Sequence, residues 1–95
     1  MLARPNDDIP RKSEILERLY QTYFDAIQSI IINALPNYDG ANPIRISSAT
    51  ESKINIPCDI KERVEGDLIT LFKGRGWKVS FFYDKNQDIC LLKIN

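Results

Sequence analysis

The sequence predicts an α+β fold in the order helix–strand–helix–strand–strand, and three observations carry that reading. Over residues 13–35, apolar side chains recur at the three- and four-residue spacing of one helix face. A second such stretch, residues 59–73, runs into Gly74-Arg75-Gly76, a glycine-rich helix stop. Two strand-forming runs follow, 77–83 and 89–94, separated by the polar turn 84–88. The expected architecture is a small, mostly antiparallel sheet packed by two helices. It has three strands, or four if a weaker fragment pairs. The chain divides into a flexible N-terminal arm, 1–12, and a single domain, 13–95.

The arm carries two prolines and no hydrophobic period. Ser13 opens the first helix with a capping hydroxyl, and Glu14 and Glu17 oppose the positive end of the helix dipole. An alternative start is Asp8, with Pro10 in the first turn. Leu16, Leu19, Tyr20, Tyr23, Phe24, Ile27, Ile30, Ile31, Ala34 and Leu35 form the stripe, and Ile15 and Ile32 lie off it. The helix ends before Pro36, because the residue preceding proline is pushed out of helical backbone. Such a helix is about 33 Å long, more than a three-stranded sheet can cover. Its surplus apolar surface needs another partner.

Residues 37–43 are dense in turn formers, and Ile44-Arg45-Ile46-Ser47 alternates as a short strand. Ile54-Asn55-Ile56 alternates again and is the candidate fourth strand. Asp59 is placed to cap the second helix, with Glu62 three residues on as in a capping box. Ile60, Val64, Leu68, Leu71 and Phe72 supply its apolar face. Gly66 inside that helix points either to close approach of another backbone or to simple tolerance on a solvated face. Gly74 is expected in the left-handed position after the helix, and Gly76 at the reversal into the strand. In the hairpin, Trp77, Val79, Phe81 and Tyr83 share an inner face with Cys90, Leu92 and Ile94. Lys78, Ser80, Phe82, Ile89, Leu91 and Lys93 form the outer one.

Thirteen basic and thirteen acidic residues give zero net charge, so the chain lacks the global field of a non-specific nucleic-acid or membrane binder. No stretch approaches the ~18 apolar residues that span a bilayer, and the first residues lack the apolar core of a signal peptide. Cys58 and Cys90 read as unpaired, buried small apolar groups in a reducing compartment, the cytoplasm. Two cysteines without histidine fall short of a zinc site, and no metal or cofactor is expected.

The absence of histidine also weighs against catalysis, since a base near neutrality would have to be a carboxylate or lysine of strongly shifted pKa. The acidic neighbours Asp59 and Glu62, and Glu65 and Asp67, read as caps and solvated surface. Gly74-Arg75-Gly76 with Lys73 and Lys78 could cradle a phosphate. It follows a helix rather than preceding one, though, so the local dipole opposes an anion. The reading is therefore a protein that is not an enzyme.

Several pieces of this chain together resemble small α+β accessory proteins of tailed bacteriophages. They are Ile30-Ile31-Ile32-Asn33-Ala34, Gly40, Ile44-Arg45-Ile46, the run Leu71-Phe72-Lys73-Gly74-Arg75-Gly76-Trp77-Lys78-Val79, and Ile89 to Ile94. The resemblance covers about residues 27–94, and the chain departs from the pattern by the insertion Ser48 to Ile56. It implies a non-catalytic role, either inhibiting or redirecting a host protein in the host cytoplasm or serving as a virion or assembly component. It supplies no catalytic residue.

Contact with proteins is then the expected function. A homodimer is expected to form along the first helix through Ile15, Leu19, Tyr23, Ile27, Ile30 and Ile31. A host partner is expected on the outer hairpin face at Lys78, Phe82, Leu91 and Lys93. The alternative for that face is weak nucleic-acid binding, with Arg75 added to the cations and Phe82 available for stacking.

Overall fold

A computed structural model describes residues 9–95. Helix α1 spans Lys12–Ala34, strand β1 Ile44–Ser47, helix α2 Cys58–Lys73, strand β2 Val79–Tyr83 and strand β3 Ile89–Ile94. The fold is α+β in the expected order. Most of the expected arm, residues 1–8, lies outside the described residues; Ile9 to Arg11 precede the helix and are exposed.

The sheet has three antiparallel strands in the order β1-β3-β2, so the last strand is the central one. Both helices pack over one face. Their common core contains Ile27 and Ile31 from α1 and Ile60, Val64, Leu68 and Phe72 from α2. Ile46, Val79, Ile89, Leu92 and Ile94 meet them from the sheet. On α2 the buried set recurs every four residues, which is one edge of a helix turned to one neighbour. Leu71 falls off that row and is 37% exposed.

Ile54-Asn55-Ile56 is not a fourth strand. Residues Ser52–Ile54 form a single 3-10 turn, closed by bonds from Ile54 N–H to Glu51 C=O and from Asn55 N–H to Ser52 C=O. Ile54 and Ile56 are both buried, so the alternation is real. It reflects two anchors dropped into the core, with no ladder.

The helix ends differ from expectation in four places. Leu35, before Pro36, keeps helical backbone at φ −54° and ψ −39°, and Leu35–Asn37 continue past α1 as a 3-10 turn with the proline in its first positions. The N-cap of α1 is Arg11 rather than Ser13, and no side chain bonds there; Glu14 and Ile15 N–H donate to the Arg11 carbonyl. The N-cap of α2 is Pro57, again without a side-chain bond, and Asp59 sits inside the first turn as a charge favoured by the dipole. Past α2, Trp77 N–H donates to Phe72 C=O and Gly76 N–H to Lys73 C=O, the paired bonds of a Schellman stop. Gly76, at φ +87°, is therefore the left-handed residue, while Gly74 keeps helical backbone. At Gly66 an added Cβ would meet nothing within 4 Å, so this glycine is tolerated on a solvated face.

The hairpin also corrects a face assignment. Phe82 pairs with Leu91 but Tyr83 pairs with Ile89, so Cys90 is the extra residue of a bulge. The bulge turns Ile89 inward, to 1% exposure, and moves Cys90 out of the core row. Cys58 is exposed at the start of α2, not buried, and both cysteines are free thiols.

Candidate contact surfaces

The outer sheet face follows from strand register. Lys93 lies between Ser80 of β2 and Arg45 of β1, and Leu91 lies between Phe82 and Ser47. Lys78 extends the ladder by one step, exchanging N–H···O bonds of 2.7 and 2.9 Å with Asn95. The predicted set Lys78, Phe82, Leu91 and Lys93 is therefore brought onto one face. Phe82 is 43% exposed, with Leu91 directly opposite. Arg45 was missed by sequence reasoning because its pairing with Lys93 joins residues far apart in the chain. It makes a third cation on a face where the strands place no acid.

On α1 the six expected self-association residues separate. Ile27 and Ile31 are fully buried in the chain's own core and offer nothing to a second copy. This corrects the expectation: the later turns of α1 are the part committed to the common core. Ile15 is exposed, and Leu19, Tyr23 and Ile30 are half-buried along one flank. From Lys12 to Ala26 no side chain is fully buried, although Ile15, Leu16, Leu19, Tyr20, Tyr23 and Phe24 are all large and apolar.

Polar contacts hold this half of α1 to α2. The Arg63 guanidinium stacks 3.8 Å over the Tyr20 ring and grips both Glu17 carboxylate oxygens at 2.8 and 3.1 Å. That grip lowers the Glu17 pKa and raises that of Arg63. Tyr20 donates its hydroxyl proton to Asp67, which raises the phenol's pKa. Lys12 lies 3.5 Å from Asp59. At the other end of α2, Tyr83 donates to Glu65, and Lys61 lies over the Tyr83 ring while donating to the Gln87 carbonyl. Although Tyr83 is 44% exposed, desolvation at its hydroxyl end first, then the Glu65 bond, pushes the phenol up to about 12. Asp59, Glu65 and Asp67 are thus occupied in joining elements.

A third surface was not anticipated. Trp77, expected in the inner row, is half-buried beyond the helix ends, with Tyr38 edge-on to it at 5.3 Å. Two shallow grooves meet at Trp77. One, of about 500 Å³, is lined by Ile69, Lys73, Gly76, Lys78 and Val79. The other, of about 300 Å³, is lined by Gln28, Ile32, Leu35, Leu71, Phe72 and Arg75. Ile32, Ile69 and Leu71 are 50%, 37% and 37% exposed. Of the three, only Ile32 carried a signal in the sequence, its position off the stripe; Leu71 is expected on the apolar face of the second helix and is found outside the buried row. The glycine loop makes no anion cradle: the N–H groups of Gly74, Arg75, Gly76 and Trp77 all close carbonyls of the last helical turn.

Neither a protein-family model, nor a curated protein, nor a solved structure matches the chain. Among the described residues, no helix is long and apolar enough to cross a membrane.

Proposed function

We propose that this protein works by protein–protein contact rather than catalysis, as a homodimer paired along the N-terminal half of α1. The observation that supports it most is the run Lys12–Ala26, six large apolar side chains without one fully buried. A lone copy leaves that apolar surface partly in water at about 25 cal/mol per Å². A second copy related by a two-fold axis covers Ile15, Leu19 and Tyr23 with the same residues, Ile30 continuing the flank beyond them.

The outer sheet face, with Phe82 and Leu91 flanked by Lys78, Lys93 and Arg45, is left to a different partner. Following the resemblance to phage accessory proteins, that partner is a host protein in the host cytoplasm, which the dimer inhibits or redirects. A virion or assembly role uses the same surfaces. The test is a pull-down from host lysate, comparing the natural chain with a Phe82→Asp/Leu91→Asp variant. One host protein retained by the natural chain and lost from the variant fits the reading. Equal retention by both contradicts this face as the site.

Arg45 beside Lys93 favours a second reading, a weak nucleic-acid contact on the same face. A retardation assay at low salt decides it, since the absence of any shift there ends that reading.

A further inference from the structure

We infer that the open edge of β2, together with the groove beside it, takes an extended acidic and apolar peptide segment of a partner protein as a fourth strand. Both sheet edges turn alternate main-chain groups outward, Arg45 and Ser47 on β1 and Val79 and Phe81 on β2, and they differ at Ser47. At the β1 edge the Ser47 carbonyl is already taken by the N–H groups of Thr50 and Glu51, which fold the following turn against that strand. At the β2 edge, Lys78 exchanges both its main-chain bonds with Asn95 on the β3 side. In an antiparallel ladder the residues alternate, so Val79 and Phe81 turn their N–H and C=O groups away from β3. Among the described residues no turn, loop or cap bond engages them; Val79 is only 4% exposed, so Phe81 is the more open of the two. Unpaired edge groups of this kind template an added strand.

The groove of about 500 Å³ runs beside this edge, between β2 and the last turns of α2. Its apolar surface is Ile69, Trp77 and Val79, and its charged lining residues are Lys73 from the helix and Lys78 from the strand edge it shares with the outer face; among the described residues no acid lines it. Glu65, one turn before Ile69, is bonded to Tyr83, so the cationic end is the one toward Gly76. An added strand sends alternate side chains to the groove side. The occupant that matches is a β-branched apolar residue over Ile69 and Trp77, with carboxylates placed against Lys73 and Lys78. This goes beyond the helix-mediated pairing proposed above, and a chain that stays monomeric tests it equally well.

The test titrates the full isotope-labelled chain with a capped synthetic peptide, Asp-Glu-Val-Ile-Val-Glu-Asp, followed by NMR. The expected result is that the Val79 and Phe81 amides shift and exchange more slowly with solvent, and that Trp77 fluorescence changes. A peptide with lysine at every acidic position binds about tenfold more weakly, and so does the acidic peptide to a Lys73→Glu/Lys78→Glu chain. Both side chains are exposed, so that variant keeps the native circular dichroism. Two further peptides, N-methylated on alternate residues in opposite frames, separate main-chain pairing from adhesion: one frame loses binding and the other retains it. The inference is overturned if Val79 and Phe81 are unmoved, or if the two frames behave alike. It is also overturned if those amides are already protected without peptide, increasingly so with protein concentration, because a second copy then owns the edge.

Discussion

Tyr83 shows how much one residue can tie together. Its ring carries the Lys61 ammonium, its hydroxyl binds Glu65, and its pKa of about 12 stands above the ordinary 10.0. A raised folded-state pKa means that the folded chain holds the proton more tightly than the unfolded one. The stabilisation is therefore whole below pH 10 and lost as pH climbs from 10 to 12. Denaturant unfolding across that window should show stability falling in the natural chain and falling less in Tyr83→Phe. At neutral pH the variant should cost about 1 kcal/mol, one hydrogen bond.

The glycines make an opposed pair at the same scale. Gly66→Ala should stabilise by up to about 1 kcal/mol, since helix propensity gains and the new methyl meets nothing. Gly76→Ala should destabilise by a similar amount, because φ +87° suits only glycine even though the space is open. Thermal or chemical denaturation of the two variants checks both signs.

At the scale of elements, burial and spacing separate side chains of one type on one helix. Leu68 is fully buried and Leu71 more than a third exposed. Leu68→Ala should cost about 3 kcal/mol, and Leu71→Ala less than about 1 kcal/mol. The Leu68 stripe was legible from spacing alone, as were the helix–stop–hairpin order and β1. Three things were not, each for a physical reason. A bulge at Cys90 exchanges the faces of Ile89 and Cys90, and nothing in the alternation of 89–94 marks where a ladder slips. Ile54 and Ile56 alternate like a strand but are held by a local turn. Ile27 and Ile31 share one stripe with Leu19 and Tyr23, and only the tertiary packing of the second helix and the Ser52–Ile54 turn decides which end of that stripe is covered.

The candidate surfaces were legible to about the same depth. Phe82, Leu91 and Lys93 were placed on one face by period two, yet Arg45 joins them only through a long-range pairing. The Trp77 grooves depend on where two helices and a strand end together, which no local pattern states.

For the whole molecule, zero net charge conceals a separation. Glu17, Asp59, Glu65 and Asp67 sit in the helical layer, each against a partner there or on the hairpin, whereas Arg45, Lys78 and Lys93 lie on the open sheet side. The helical layer is where the chain holds itself together and, along the first half of α1, where it is left unfinished. The central claim is that a second copy completes it. The most direct measurement is the mass of the full chain at high micromolar concentration, by size-exclusion chromatography with light scattering. The account predicts twice the chain mass of 10.9 kDa, and a return to that single mass in an Ile15→Lys/Leu19→Lys variant with unchanged circular dichroism. A natural chain that stays at 10.9 kDa contradicts it.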